Sequence, residues 1–222
     1  RPRVLIVSTG DELAAPGQEL APGQIHDSNT TLMGALVAAA GGMVARAVRT
    51  GDDPDGFVAA LGDLDDVDLV LTAGGVSVGA FDVVKASLAP LGVDFARVAM
   101  QPGKPQGMGR VHGVAAACLP GNPVSVAASF TAFVEPMLRA ALALPPRAFG
   151  TAVVAESWAS PPRREQWTPV VAGPEGVRPA TSGVSRSNLG LSLARAEAWA
   201  IVPPQVDRVE PGDTVALMRF LP

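Results

Sequence analysis

The chain has 222 residues, 48% of them hydrophobic and 17% charged, with a net charge of −4 and an isoelectric point near 5.2. That length and apolar content support one large core or two smaller ones and exclude global disorder, and the acidic balance argues against a nucleic-acid surface. A single cysteine, Cys118, excludes an intrachain disulfide, and with His26 and His112 as the only histidines a histidine-rich zinc site is excluded too.

No leader and no apolar run long enough to span a bilayer is visible, so the sequence predicts a cytoplasmic protein with no membrane partner. Arg1-Pro-Arg-Val4 leads into a strand with no initiator methionine, which reads as a fragment of something longer.

Val4-Leu-Ile-Val7 is a continuous apolar run, as expected for a strand covered on both faces. It ends in Ser8-Thr-Gly-Asp-Glu-Leu13, a polar loop at the carboxyl end of the strand, where open α/β sheets bind ligands; Glu12 is well placed there. A Pro/Gly-rich loop over residues 15–23 precedes Asp27-Ser-Asn29, which supplies caps for a helix over residues 30–40. Leu32, Leu36 and Val37 form its apolar face, and Gly41-Gly42 ends it. Residues 43–48 read as another strand. In Thr50-Gly-Asp-Asp-Pro54, Pro54 suits the first helical position and Asp53 the cap, so capping does not account for Asp52. The helix runs to about residue 64 on Phe57, Val58 and Leu61.

The stretch from Asp68 to Lys85 reads strand, glycine loop, helix. Gly74, Gly75 and Gly79 permit tight turns and close approach of a ligand. Ser77 and the free N–H groups at the following helix suit a phosphate, and Asp82 and Lys85 fall in that helix's first turn. Residues 93–98 resemble a further strand, and Gln101-Pro-Gly-Lys-Pro-Gln-Gly107 is a stiff loop projecting Lys104. Residues 108–111 and 114–119 flank His112-Gly113, a hairpin signal. Leu119-Pro-Gly-Asn-Pro-Val-Ser125 is another stiff loop, opening a helix over residues 124–144 with Ser125 at its start and a bend at Pro136.

The β-α alternation predicts a parallel sheet with helices on both faces over residues 1–146. From residue 147 to 222 short alternating segments at 151–155, 168–172, 198–202 and 214–219 predict a small all-β domain, a barrel or a sandwich. Arg163, Arg164, Arg186 and Arg195 fall in or beside its loops.

Six motifs in this order, Ser8–Leu13, Asp27–Asn29, Gly51–Pro54, Gly74–Gly79 with Asp82 and Lys85, Pro102–Pro105 and Leu119–Ser125, resemble the molybdopterin molybdenumtransferase family, which includes the E domain of gephyrin. The resemblance implies a three-layer parallel-sheet molybdopterin-binding domain followed by a small β domain. It implies insertion of molybdenum from molybdate into adenylylated molybdopterin, with Mg²⁺-dependent release of AMP. Glu12, Asp52 and Asp82 would sit around the adenylate and hold Mg²⁺, Gly74, Gly75, Ser77 and Gly79 would hold phosphate, and Thr9 and Gly10 would also bind the cofactor. Lys104 and Pro105, with Ser125, would lie near the terminal phosphate of the pterin or near molybdate, and Gly121 and Asn122 would also bind the cofactor. Arg164, or its neighbour Arg163, would help hold molybdate, as would Ser187 or Ser192.

The chain departs from the family at Gln101, where many members carry lysine, and at Val83, where an aromatic is frequent. It also lacks two further domains that precede this point in the family, one of them a dimerisation segment. The resemblance therefore implies a homodimer for the full-length protein, small-molecule substrates, molybdopterin adenylyltransferase as a candidate partner, and low activity for the isolated chain. The alternatives are the sister adenylyltransferase activity, which lacks the trailing β domain, and a non-catalytic scaffold.

Overall fold

Residues 1–76, 82–181 and 190–220 are described by the structure, a computed structural model. β1 (Arg3–Thr9) is apolar on both faces: Leu5 and Val7 point into one core layer, Val4 and Ile6 into the other. β2 (Leu13–Ala14) and β3 (Ile25–His26) pair as a short parallel ribbon. α1 (Asn29–Ala39) follows. Its cap is Asp27, which accepts from Thr30 N at 3.0 Å and from Thr30 Oγ1 at 2.5 Å, whereas Ser28 makes no side-chain cap bond.

β4 (Met43–Thr50) extends past the expected strand, and α2 (Pro54–Leu61) is capped as expected by Asp53, which accepts from Gly56 N at 2.7 Å. α2 stops short of residue 64 because Gly62 turns out of the helix with φ 58°. β5 (Leu69–Ala73), α3 (Val83–Leu88), β6 (Val93–Arg97), β7 (Met100–Gln101), β8 (Pro105–Val111) and β9 (Val114–Leu119) come next. The expected helix over 124–144 is three pieces: α4 (Pro123–Ser129), a π-helical turn at Phe130–Val134 and α5 (Glu135–Ala141). Pro136 has no N–H to return to the preceding turn, and the widened turn just before it absorbs the missing bond.

The first sheet has the order β4-β1-β5-β9-β8-β6. β4, β1, β5 and β9 are parallel, as expected, but β8 runs antiparallel to both β9 and β6, so the sheet is parallel with one reversed strand. The reversal follows from the hairpin at His112 and Gly113, whose φ values of 49° and 85° are those of a two-residue type I′ turn. Helices cover both faces. Phe57, Leu61, Val83, Val84 and Leu88 pack on one side, and Met33, Val37, Val126, Phe130 and Leu138 on the other. Each such fully buried side chain contributes roughly 1.5–3 kcal/mol of hydrophobic stabilisation. Cys118 is buried in β9, and burial pushes its thiol up to about 12.

The rest of the chain forms β10 (Gly150–Val153), β11 (Trp158–Ala159), β12 (Glu165–Gly173), β13 (Gly176–Pro179), α6 (Gly190–Arg195), β14 (Ala198–Val202), β15 (Arg208–Val209) and β16 (Thr214–Arg219). The second sheet has the order β10-β16-β14-β12-β13, and a bridge between Val154 and Val177 brings its two ends together in a barrel-like closure. β7 leaves the first layer to pair in parallel with β12, aligning Met100 with Glu165 and Gln101 with Gln166. Under that pairing Trp167 and Trp199, in an edge-to-face contact at 6.1 Å, pack with Met100, Val124, Ala127 and Ala128. A ladder and a shared core therefore fix the β part against the loop that carries Lys104.

Candidate active-site cleft

The carboxyl ends of β4, β1, β5 and β9 lie side by side, and the loops leaving them are bonded to one another across the edge of the sheet. Thr9 Oγ1 donates to Gly51 O at 3.0 Å and to Asp52 Oδ1 at 3.3 Å, and Asp52 N donates to Asp11 Oδ1 at 3.1 Å. Gly74 N donates to Leu119 O at 3.2 Å. Asn29, at the start of α1, donates from Nδ2 to Gly121 O at 2.6 Å. Together these loops enclose a cleft of about 750 Å³.

Thr9, Gly10 and Glu12 reach the cleft from the β1 loop and Asp52 from the β4 loop. Gly74, Gly75 and Asp82 line it from the β5 side, Lys104 from the loop before β8 and Pro105 from the first position of β8, and Gly121 and Asn122 from the turn into α4 with Ser125 in its first turn. Ser77 and Gly79 lie outside the described residues, as does Ser187. Arg164 is not on the wall. Its Nη1 donates to Gln101 Oε1 at 3.0 Å, and it is Gln101 that lines the cleft. Lys85, although in α3, is exposed and does not line the cleft.

Two glycines are needed for close approach. A Cβ on Gly10, which has φ 150°, would sit 2.5–2.8 Å from the carboxylate atoms of Glu12, so that carboxylate folds back over the Gly10 backbone. A Cβ on Gly74, with φ 98°, would sit 2.7 Å from Thr9 O, so the β5 and β1 loops touch only because residue 74 has no side chain.

The charges in the cleft are divided by side. Glu12 and Asp52 are exposed on one lip, Asp82 is half-buried at the start of α3, and the half-buried Lys104 belongs to the opposite wall. Among the described residues, no three His, Cys, Asp or Glu side chains gather closely enough to hold a metal ion by themselves.

The sequence reasoning passed over Asn29 and His26, both of which line the cleft. Asn29 lay within a motif read as a cap, and its contact with Gly121 is made 92 residues away in the chain. His26 Nδ1 lies 3.1 Å from Ala15 O; a carbonyl only accepts, so the ring donates there.

Comparison with known proteins agrees with this architecture. Residues 5–140 match the family described as "Probable molybdopterin binding domain". Residues 151–220 match the "MoeA C-terminal region (domain IV)". The first match sets the class, an α/β domain of the molybdopterin-binding type. Over 222 aligned residues the chain is 41% identical to "Molybdopterin molybdenumtransferase 2" of Mycobacterium tuberculosis, covering 96% of this chain and 55% of that relative. It is 32% identical to "Molybdopterin molybdenumtransferase" of Bacillus subtilis, covering 98% of this chain and 52% of the relative. The crystal structure of a molybdopterin biosynthesis MoeA protein from Pyrococcus horikoshii superposes with a TM-score of 0.79 at 27% identity, covering 99% of this chain and 54% of that one. The chain belongs to the probable molybdopterin binding domain family, followed by a region that matches the MoeA C-terminal region, and spans about half the length of the curated relatives it matches. No helix among the described residues is long and apolar enough to cross a membrane.

Proposed function

We propose that this chain is the substrate-binding and catalytic core of a molybdopterin molybdenumtransferase. It takes adenylylated molybdopterin and molybdate, places molybdenum on the pterin dithiolene, and releases AMP. The observation that carries the reading is the gathering of Glu12, Asp52, Asp82, Lys104 and Ser125 around one 750 Å³ cleft floored by Gly74 and Gly75.

The donor set fits Mg²⁺, which takes oxygen ligands and is commonly held by one or two carboxylates plus substrate phosphate. Glu12, Asp52 and Asp82 all line the cleft, and one or two of them at a time would supply carboxylates, with substrate phosphate completing the set, since no three such side chains among the described residues gather around one ion. When bound, the cation neutralises charge on the pyrophosphate as it is cleaved.

The chain's own residues do the rest. Thr9 holds Asp52 at the lip, and Gly10 leaves room for the Glu12 carboxylate. Gly74 and Gly75 let the pyrophosphate lie against the backbone. Lys104 balances the carboxylates from the facing wall, and Ser125 offers a hydroxyl at the start of α4. In this reading Arg164 belongs to the molybdate end, and the division between the two domains falls at residues 146–147. The full-length protein acts in the cytoplasm as a homodimer and receives its substrate from molybdopterin adenylyltransferase. The isolated chain turns over slowly, because the rest of the dimer completes the cleft.

The test is incubation of the full-length protein with adenylylated molybdopterin, molybdate and Mg²⁺. Molybdenum cofactor and AMP should appear together. Formation of adenylylated molybdopterin from molybdopterin and Mg-ATP, without AMP release in the first assay, would assign the adenylyltransferase reaction instead.

A further inference from the structure

The β2–β3 ribbon brings a different chemistry to the cleft from that of its other walls. Glu12, Asp52 and Asp82 bring carboxylates and Lys104 an ammonium, whereas the ribbon contributes Leu13, Ile25 and His26. Ile25 is a large aliphatic residue left 56% exposed. The ribbon is nonetheless fixed. Ile25 N donates to Glu12 O at 2.8 Å and Asp27 N to Ala14 O at 2.9 Å. The Asp27 carboxylate is anchored on Thr30 of α1, so β3 is held at its carboxyl end as well.

The His26 ring is fixed by its own bond. Its Nδ1–H donates to Ala15 O at 3.1 Å, and that carbonyl also accepts from Gln18 N at 3.1 Å, so the turn that carries it is placed too. With the proton on Nδ1, the Nε2 of the uncharged ring is an acceptor, and it bonds no described residue. A lone pair does not suit an ionised phosphate, which offers only further acceptors. It suits an N–H. An acceptor on a fixed ring, beside exposed aliphatic surface in a cleft wall, matches a flat heterocycle with a donor on its edge. Adenine and pterin, the two ring systems of the proposed ligand, each carry an exocyclic amine.

The geometry points to the β2–β3 ribbon as the wall that recognises a fused-ring nitrogen heterocycle of the ligand, with Ile25 giving apolar contact and His26 Nε2 accepting from the exocyclic amine. His26 is then a specificity-determining residue. This rests on the proposed reading that the cleft takes an adenylylated pterin, and it concerns the uncharged end of that ligand, away from its phosphates.

The experiment is a set of equilibrium titrations of the full-length protein at mildly alkaline pH, which keeps an imidazole uncharged. AMP is compared with purine riboside 5′-phosphate, both with Mg²⁺, and pterin with 4-hydroxypteridine; the second member of each pair has hydrogen in place of the amine. Ribose 5-phosphate with Mg²⁺ reports the phosphate end alone. The parent should prefer the amine in one pair by about three- to tenfold, and the pair that shows it identifies which ring reaches the ribbon. His26→Phe keeps a flat ring without the acceptor; it should erase the preference while leaving the melting temperature and the ribose 5-phosphate affinity unchanged. His26→Gln carries a carbonyl acceptor and should restore part of the preference. Ile25→Ser should weaken both members of that pair by the same factor. No preference for the amine in either pair, or a preference that survives in His26→Phe, would overturn the inference. Ribose 5-phosphate binding in that case would leave the phosphate and metal reading standing, and its loss together with AMP binding would take that reading down as well.

Discussion

Thr9 Oγ1 donates to Asp52 Oδ1 at 3.3 Å while also donating to Gly51 O at 3.0 Å. A hydroxyl at the end of β1 thereby fixes a carboxylate carried by the loop that leaves the neighbouring strand. Thr9→Val keeps the shape and removes the donor, which is worth about 0.5–1.5 kcal/mol. The affinity for AMP with Mg²⁺ should fall several-fold, with a much smaller change in AMP binding without Mg²⁺. Calorimetric titration in both conditions checks this, and equal losses in the two would mean that Thr9 does not work through Asp52.

Gly10 and Glu12 form a second coupled pair. An added methyl at residue 10 would fall 2.5–2.8 Å from the Glu12 carboxylate, so Gly10→Ala must displace that side chain. Turnover of the full-length protein should drop at least about tenfold in Gly10→Ala and in Glu12→Ala, and the double variant should be little worse than either, because both remove the same placed carboxylate. Fully multiplicative rate losses would count against the coupling.

The Glu135–Arg147 ion pair ties α5 to the segment that crosses into the β part. Its side chains are 3% and 17% exposed, Arg147 Nη1 lies 3.1 Å from Glu135 Oε2, and Arg147 Nη2 also donates to Arg219 O. Removing one partner of such a pair leaves a buried charge uncompensated, at a cost of about 3–5 kcal/mol. Glu135→Leu and Arg147→Met should each lower the urea midpoint markedly, and the double variant should recover part of the loss. A double variant as unstable as the sum of the two would refute the pairing argument.

Cys118 gives a pH dependence with a definite sign. Burial raises its thiol from 9.0 to about 12, so the folded state keeps a proton that the unfolded chain releases. The group's stabilising contribution is complete below about pH 9 and is lost as the pH rises from there toward 12. The stability advantage of the parent over Cys118→Ala should therefore shrink between pH 8.5 and 10.5 (approximate working limits set by this linkage), as read by urea unfolding. The native thiol should stay inert to an aromatic disulfide at pH 8 (a condition chosen about one unit below the free-thiol range); prompt labelling of folded protein would contradict the burial.

Much of the fold was legible because its signals are local. Val4–Val7 and Leu69–Leu71 are apolar at consecutive positions, as a strand covered on both faces must be, and the structure buries all of them. Asp53 before Pro54 announced a helix start, and His112-Gly113 a tight hairpin; both are present. The β segments at 198–202 and 214–219 are β14 and β16. The loops that form the cleft were recognisable because glycine, proline and carboxylates cluster at the ends of strands. The short strand β13, with its two prolines and glycines nearby, and the two-residue strands carried too little periodicity to be seen. The widened turn at Phe130–Val134 was anticipated only as a bend at Pro136.

The sequence by itself determined the layered α/β architecture, the trailing β part and the set of polar groups at the sheet's edge, since each follows from residue types over a few positions. The tertiary structure alone decided which of those groups share the cleft and how they are held. Asn29 meets Gly121 across 92 residues, and Arg164 meets Gln101 across 63. Such contacts depend on strand order and on the pairing of β7 with β12, in which hydrogen bonds join backbones distant in the chain and leave no periodic trace in either segment.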